Sequence, residues 1–74
     1  MNVYPNPNNK IFSIQTSSEI NTIEVLDVLG SQIRRFQPNT NLFEINISEK
    51  PSGVYFLKVY LGNGNVVTKK IICK

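Results

Sequence analysis

Apolar positions along the chain fall in short runs of β-branched and aromatic residues, and Asn, Gly, Pro or Ser ends each run after roughly ten residues. In the clearest run, residues 43–48, apolar and polar side chains alternate with the two-residue period of a strand that buries one face. No comparable stretch keeps helical spacing without a turn former inside it. The pattern predicts an all-β fold, a small antiparallel Greek-key β-sandwich (Ig-like) of six to seven strands, with a barrel as the alternative.

Turn formers place the boundaries of these strands. Ser17, Ser18 and Asn21 are predicted to break the chain between the first two strands, and Asp27 with Gly30 has the spacing of a type I turn. Residues 62–64 predict a tight hairpin turn, and residues 4–9, with two prolines, predict an extended or turning lead-in. The predicted strands are residues 11–15, 22–26, 32–36, 43–47, 54–61 and 65–73.

The longest predicted strand, residues 54–61, is apolar on both faces, which is typical of a central strand. One face carries Tyr55, Leu57, Val59 and Leu61. The other face carries Val54, Phe56, Lys58 and Tyr60, and we expect the lead-in or a second sheet to cover it. Aromatic and basic residues on one strand face also occur in nucleic-acid and sugar platforms, so this face is a minor binding candidate.

The chain has 74 residues, a length that supports one domain. Its composition excludes most kinds of catalytic and metal-binding site. Histidine is absent and Cys73 is the single cysteine, so we predict no metal site, no cofactor and no intrachain disulfide. Cys73 is expected to act as a small buried hydrophobe. The five carboxylates are dispersed, and Asp27 has a structural task in its turn. We therefore predict that the domain is not an enzyme.

Charge and hydropathy limit the partners. The net charge of +3 comes from scattered residues and does not by itself indicate nucleic acid. No run approaches the roughly 20 apolar residues of a membrane span. The alternating lysines and isoleucines of residues 69–74 lead us to expect a terminal domain whose C-terminal end is part of its function.

Four segments together resemble the C-terminal sorting domains (type A) of the Bacteroidetes type IX secretion system. These segments are residues 4–7, 23–30, 51–59 and 64–74. The sequence departs from the family pattern at Leu26, where an aromatic residue is common, and at Cys73, where an aliphatic residue is usual. Residue by residue, the resemblance carries over a Gly-x-Tyr element and a terminal signal: Gly53, Tyr55, Lys69, Lys70, Ile71, Ile72 and Lys74.

The resemblance implies a secretion signal that the type IX outer-membrane translocon reads and that a surface sortase usually removes. It implies a domain excised from the C-terminal end of a larger secreted protein, with a cargo domain upstream, and export through the periplasm to the cell surface or medium. From charge and hydropathy we expect no nucleic-acid partner and no membrane insertion of the domain itself. The alternative from the residues themselves is a surface adhesin or carbohydrate-binding β-sandwich, in which Phe56 and Tyr60 stack on sugar.

Overall fold

The computed structural model describes residues 1–6 and 10–73, with the backbone alone for Pro5 and Asn6. The described residues form six strands and no helix, and every pairing is antiparallel. The predicted all-β antiparallel fold is therefore confirmed. The strands are β1 (Asn2–Asn6), β2 (Ile11–Leu26), β3 (Gln32–Phe36), β4 (Thr40–Asn46), β5 (Gly53–Leu61) and β6 (Val66–Cys73).

β2 organises the whole sheet. Its first half pairs with β1 and β4, and its second half pairs with β3 and β5. Because Ile20 pairs with both Thr40 and Leu61, β4 and β5 lie on opposite edges of β2. β6 then pairs with the far edge of β5. The result is one curled six-stranded sheet, a half-barrel with which the predicted immunoglobulin-like sandwich is compatible.

The predicted chain break at Ser17, Ser18 and Asn21 is wrong, because β2 runs through these residues. The ladder changes partner here, with shifts in register on both sides of Ile20. A residue from a distant segment explains the continuity. The side-chain amide of Asn41 donates to the carbonyls of Thr16 and Ser17, at 3.2 and 3.1 Å, so these groups have partners outside the ladder.

The predicted lead-in is a strand over its described part. β1 pairs with residues 11–15, and Pro5 lies opposite Phe12. Proline is tolerated at this position because β1 is an edge strand, so the N–H that Pro5 lacks interrupts no ladder in the centre of the sheet. Residues 7–9 lie outside the described residues. The outer face of β5 was expected to be covered by the lead-in or by a second sheet, and it is half-buried. Residues 2–6 pair with the first half of β2 and not with β5.

A single apolar core fills the inside of the curl, and it draws on β2, β4, β5 and β6. The inward faces predicted from two-residue alternation are confirmed, and Ile47 is buried just after β4 ends. The buried side chains are Phe12, Ile14, Ile20, Ile23, Val25, Ile45, Ile47, Tyr55, Leu57, Val59, Leu61, Ile71 and Cys73.

The β2–β3 connection follows the predicted turn chemistry. One carboxylate oxygen of Asp27, Oδ1, accepts the backbone N–H groups of Leu29 and Ser31 at 3.0 and 2.9 Å. Gly30 has a φ of +86°, the left-handed conformation that glycine adopts without steric cost. Asp27 therefore has the structural task that its position in the sequence predicts.

Candidate functional site

Tyr55 fixes the beginning of β5. Its side chain is buried, and its hydroxyl donates a 2.5 Å hydrogen bond to the carbonyl of Pro51, four residues earlier in the chain. This contact has the form of the tyrosine corner of immunoglobulin-type sandwiches, which ties a strand to the loop before it. The Gly-x-Tyr element thus acts as a structural anchor, and Gly53 opens the strand with a φ of +155°.

The terminal signal predicted from the sequence lies directly beside this anchor. In the β5–β6 ladder, Gly53 is opposite Cys73 and Tyr55 is opposite Ile71. The hairpin turn of residues 62–64 produces this register, since the N–H of Gly64 bonds the carbonyl of Leu61 at 3.0 Å. The two parts of the resemblance are therefore one continuous piece of sheet.

Side chains of β6 divide by exposure. Ile71 and Cys73 are buried, whereas Ile72 on the opposite face is 59% exposed. Lys69 and Lys70 are both exposed, although they point to opposite faces. Of the predicted recognition residues, Lys69, Lys70 and Ile72 are accessible to a partner, while Gly53, Tyr55 and Ile71 build the scaffold. Lys74 lies outside the described residues.

A cleft of about 340 Å³ lies between β6 and the neighbouring strands β1 and β2. Val3 and Phe12 line one side, and residues 69–72 line the other. Val3 and Phe12 were missed by sequence reasoning because they are more than fifty residues away along the chain. Only the curl of the sheet, which turns β1 toward β6, brings them together.

The lysines beside the cleft lack acidic partners within the described part of the chain. Among the described residues, the ion pair that forms joins Arg34 to Glu49, away from the cleft. The ammonium of Lys10 donates to the carbonyl of Lys50 at 2.8 Å. Lys69 and Lys70 therefore present their charge to solvent or to a partner.

Cys73 is placed as the sequence predicts, as a buried side chain at the end of the core. Burial raises the pKa of its thiol, and the nearby positive charge of Lys10 opposes that shift. The thiol is thus neutral near pH 7 and behaves as a small apolar group. Across the described residues, no cluster of three or more His, Cys, Asp or Glu side chains is arranged to hold a metal ion.

The outer face of β5 is the candidate platform for sugar or nucleic acid, and its side chains contact other side chains of the domain. The Tyr60 hydroxyl donates to Oε1 of Glu24 at 2.8 Å, and the Lys58 ammonium lies 5.6 Å from the centre of the Tyr60 ring. Phe56 and Tyr60 are both half-buried. Little free aromatic surface is left there for stacking on a ligand.

In the described ranges we find no helix with the length and hydropathy needed to cross a bilayer. A comparison with curated proteins gives no match to this chain. The profile of the family described as secretion system C-terminal sorting domain matches residues 2–74, which is nearly the full length. The chain therefore belongs to the C-terminal sorting domains of the type IX secretion system.

Proposed function

We propose that the outer-membrane translocon of the type IX system recognises this domain through the accessible side chains of β6. Family membership makes the chain a sorting signal domain that works with the type IX machinery and directs export to the surface or outside. In this proposal the cargo passes through the periplasm, and a surface sortase removes the domain after transport.

The arrangement of β6 is the observation that supports this proposal. Tyr55 and Ile71 hold the strand in the core, while Lys69, Lys70 and Ile72 are exposed. A receptor that handles many cargoes needs a feature that is independent of the cargo and held in fixed geometry. An anchored strand with accessible charged and apolar side chains meets that need.

In this proposal the domain acts as a sorting signal and not as an enzyme. The sequence has no histidine to activate a nucleophile. The Cys73 thiol is buried, and its raised pKa disfavours the reactive thiolate.

Export of a reporter tests the proposal. The chain is fused to the C-terminus of a reporter with a periplasmic signal peptide, in a bacterium with an active type IX system, and the reporter is measured in periplasm, surface and medium. We expect the intact fusion to reach the surface or medium. The double variant Lys69→Ala with Lys70→Ala should stay in the periplasm while remaining folded.

A matched variant controls for the loss of positive charge. Arg35→Ala with Lys50→Ala removes as much charge from other parts of the molecule, and it should export normally. If the intact fusion stays periplasmic while an established sorting domain exports the same reporter, the proposal fails and the adhesin alternative replaces it. Normal export of the Lys69 and Lys70 double variant would show that recognition lies elsewhere on the domain.

A further inference from the structure

β6 has one paired edge and one edge that meets the cleft. It pairs with β5 and ends the sheet order β1-β2-β5-β6, in which β1 and β5 pair with successive parts of the same edge of β2. The cleft of about 340 Å³ is lined by residues 69–72 of β6, by Val3 of β1 and by Phe12 of β2. Among the described residues, no strand pairs with the second edge of β6, so one more strand could continue the sheet there.

Of the two strands beside the cleft, β6 is the better template for pairing. β1 contains Pro5, which lacks the N–H that a ladder requires. Residues 66–73 contain no proline, no glycine and no acidic residue, and most of them are β-branched. Backbone groups along the free edge of β6 can therefore accept a further strand, as sheet edges do when they bind extended peptides.

The side chains of β6 define what such a strand must carry. Lys69 and Ile71 share one face, and Lys70 and Ile72 share the other, so each face offers a charge followed by an apolar group. Directly opposed side chains on neighbouring strands stabilise the pair when their charges are opposite or both are apolar. An antiparallel partner meets both conditions with two apolar residues followed by two acidic residues.

We propose that β6 binds an extended segment of a type IX secretion component, which adds as an antiparallel strand with the order apolar, apolar, acidic, acidic. One apolar side chain enters the cleft against Phe12, and the acidic side chains pair with Lys69 and Lys70. This inference rests on the proposed function and names the chemistry of the partner segment.

A second copy of the chain is a poorer occupant of the same edge. Two β6 edges would bring together four lysines and no carboxylate from residues 66–73. Like charges that face each other across strands are destabilising. Charge complementarity therefore favours an acidic partner over self-association.

Peptide binding to the isotopically labelled domain tests this inference. One short synthetic peptide has a centre of valine, isoleucine, glutamate and glutamate, and a matched peptide has lysines in place of the glutamates. In nuclear magnetic resonance titrations, we expect the acidic peptide to shift the amide signals of residues 66–73, Val3 and Phe12 in a saturable way. Its affinity should exceed that of the lysine peptide by about tenfold or more, since two charge pairs change sign.

A charge-reversed variant provides the matched control. Lys69→Glu with Lys70→Glu changes two exposed residues, so its spectrum should keep the dispersion of a folded domain. It should prefer the lysine peptide. Equal binding of both peptides, signal shifts confined to other strands, or no saturable binding by a folded domain would each overturn the inference. So would light scattering that finds a dimer dissociated by the charge reversal.

The export assay separates this inference from the proposed function. A reporter that is exported although the acidic peptide does not bind overturns the strand-addition inference and leaves the sorting function in place. A reporter that is retained in the periplasm, next to an established sorting domain that exports it, overturns the proposed function whatever the peptide does.

Discussion

Tyr55 lies directly opposite Ile71 in the β5–β6 ladder, and both side chains are 6% exposed. The pair joins the element that anchors β5 to the strand that carries the accessible lysines. Loss of either side chain is therefore expected to act through stability, whereas loss of the neighbouring exposed side chains is expected to act through recognition.

Replacing Tyr55 by Ala should lower the free energy of unfolding by about 3 kcal/mol, because it empties a large buried aromatic site. Tyr55→Phe should cost about 1 kcal/mol, since it removes only the hydrogen bond to the Pro51 carbonyl. Urea denaturation followed by circular dichroism measures both values. Tyr4→Phe is the control, because Tyr4 is 51% exposed, and it should leave the unfolding curve unchanged. An unfolding curve for Tyr55→Ala that matches the wild type would place Tyr55 at the surface.

Glycine is required at the start of β5 for its backbone conformation. The φ of Gly53 is +155°, whereas a Cβ at this position would meet no atom within 4 Å. Gly53→Ala should therefore cost about 1–3 kcal/mol through backbone strain alone, and Gly53→Asn should cost a similar amount. At Gly30, with a φ of +86°, asparagine should be tolerated better than alanine because it adopts the left-handed helical region more readily. Thermal unfolding of the four variants compares the two sites, and equal losses for Asn and Ala at Gly30 would contradict this account.

Local patterns were sufficient to predict most strands, because alternation at residues 43–48 and the turn formers at Asp27 and Gly30 act on their own neighbourhood. The continuity of β2 was not predictable in the same way. It depends on Asn41, which is more than twenty residues from the carbonyls it binds. The polar residues Ser17 and Ser18 locally indicate a break in the strand. The distant Asn41 amide binds carbonyls in this segment, and the strand continues through it.

The candidate site was predictable only in part for a related reason. Strand alternation implied that at least one of Lys69 and Lys70 is exposed, and both are. Lys69 shares a face with the buried Ile71, so alternation alone would direct it inward. Its exposure depends on the cleft beside β6, which Val3 and Phe12 complete from the other end of the chain. Contacts of such sequence separation leave no periodic signal.

Cys73 should make stability depend on pH at the alkaline end. Burial raises the pKa of the folded thiol above its ordinary value of 9.0, so the unfolded chain loses this proton first as the pH rises. The stabilisation of the folded state by the buried neutral thiol is fully present below about pH 9 and is lost as the pH rises through the folded pKa. Unfolding free energies of the wild type and Cys73→Ala should therefore converge above pH 9. A difference between them that stays constant or widens with pH would contradict a buried neutral thiol.

The neighbouring isoleucines Ile71 and Ile72 separate folding from recognition within a single dipeptide. Ile71→Ala empties a core position that is 6% exposed and should cost about 2–4 kcal/mol, whereas Ile72→Ala removes a side chain that is 59% exposed and should cost less than about 1 kcal/mol. In the reporter assay, Ile72→Ala should nevertheless reduce export, because this side chain lies on the accessible face of β6 beside the cleft. Urea unfolding of the purified domains and fractionation of the reporter give the two measurements. Full export of the folded Ile72→Ala variant would remove Ile72 from the recognition surface and leave the two lysines to account for it.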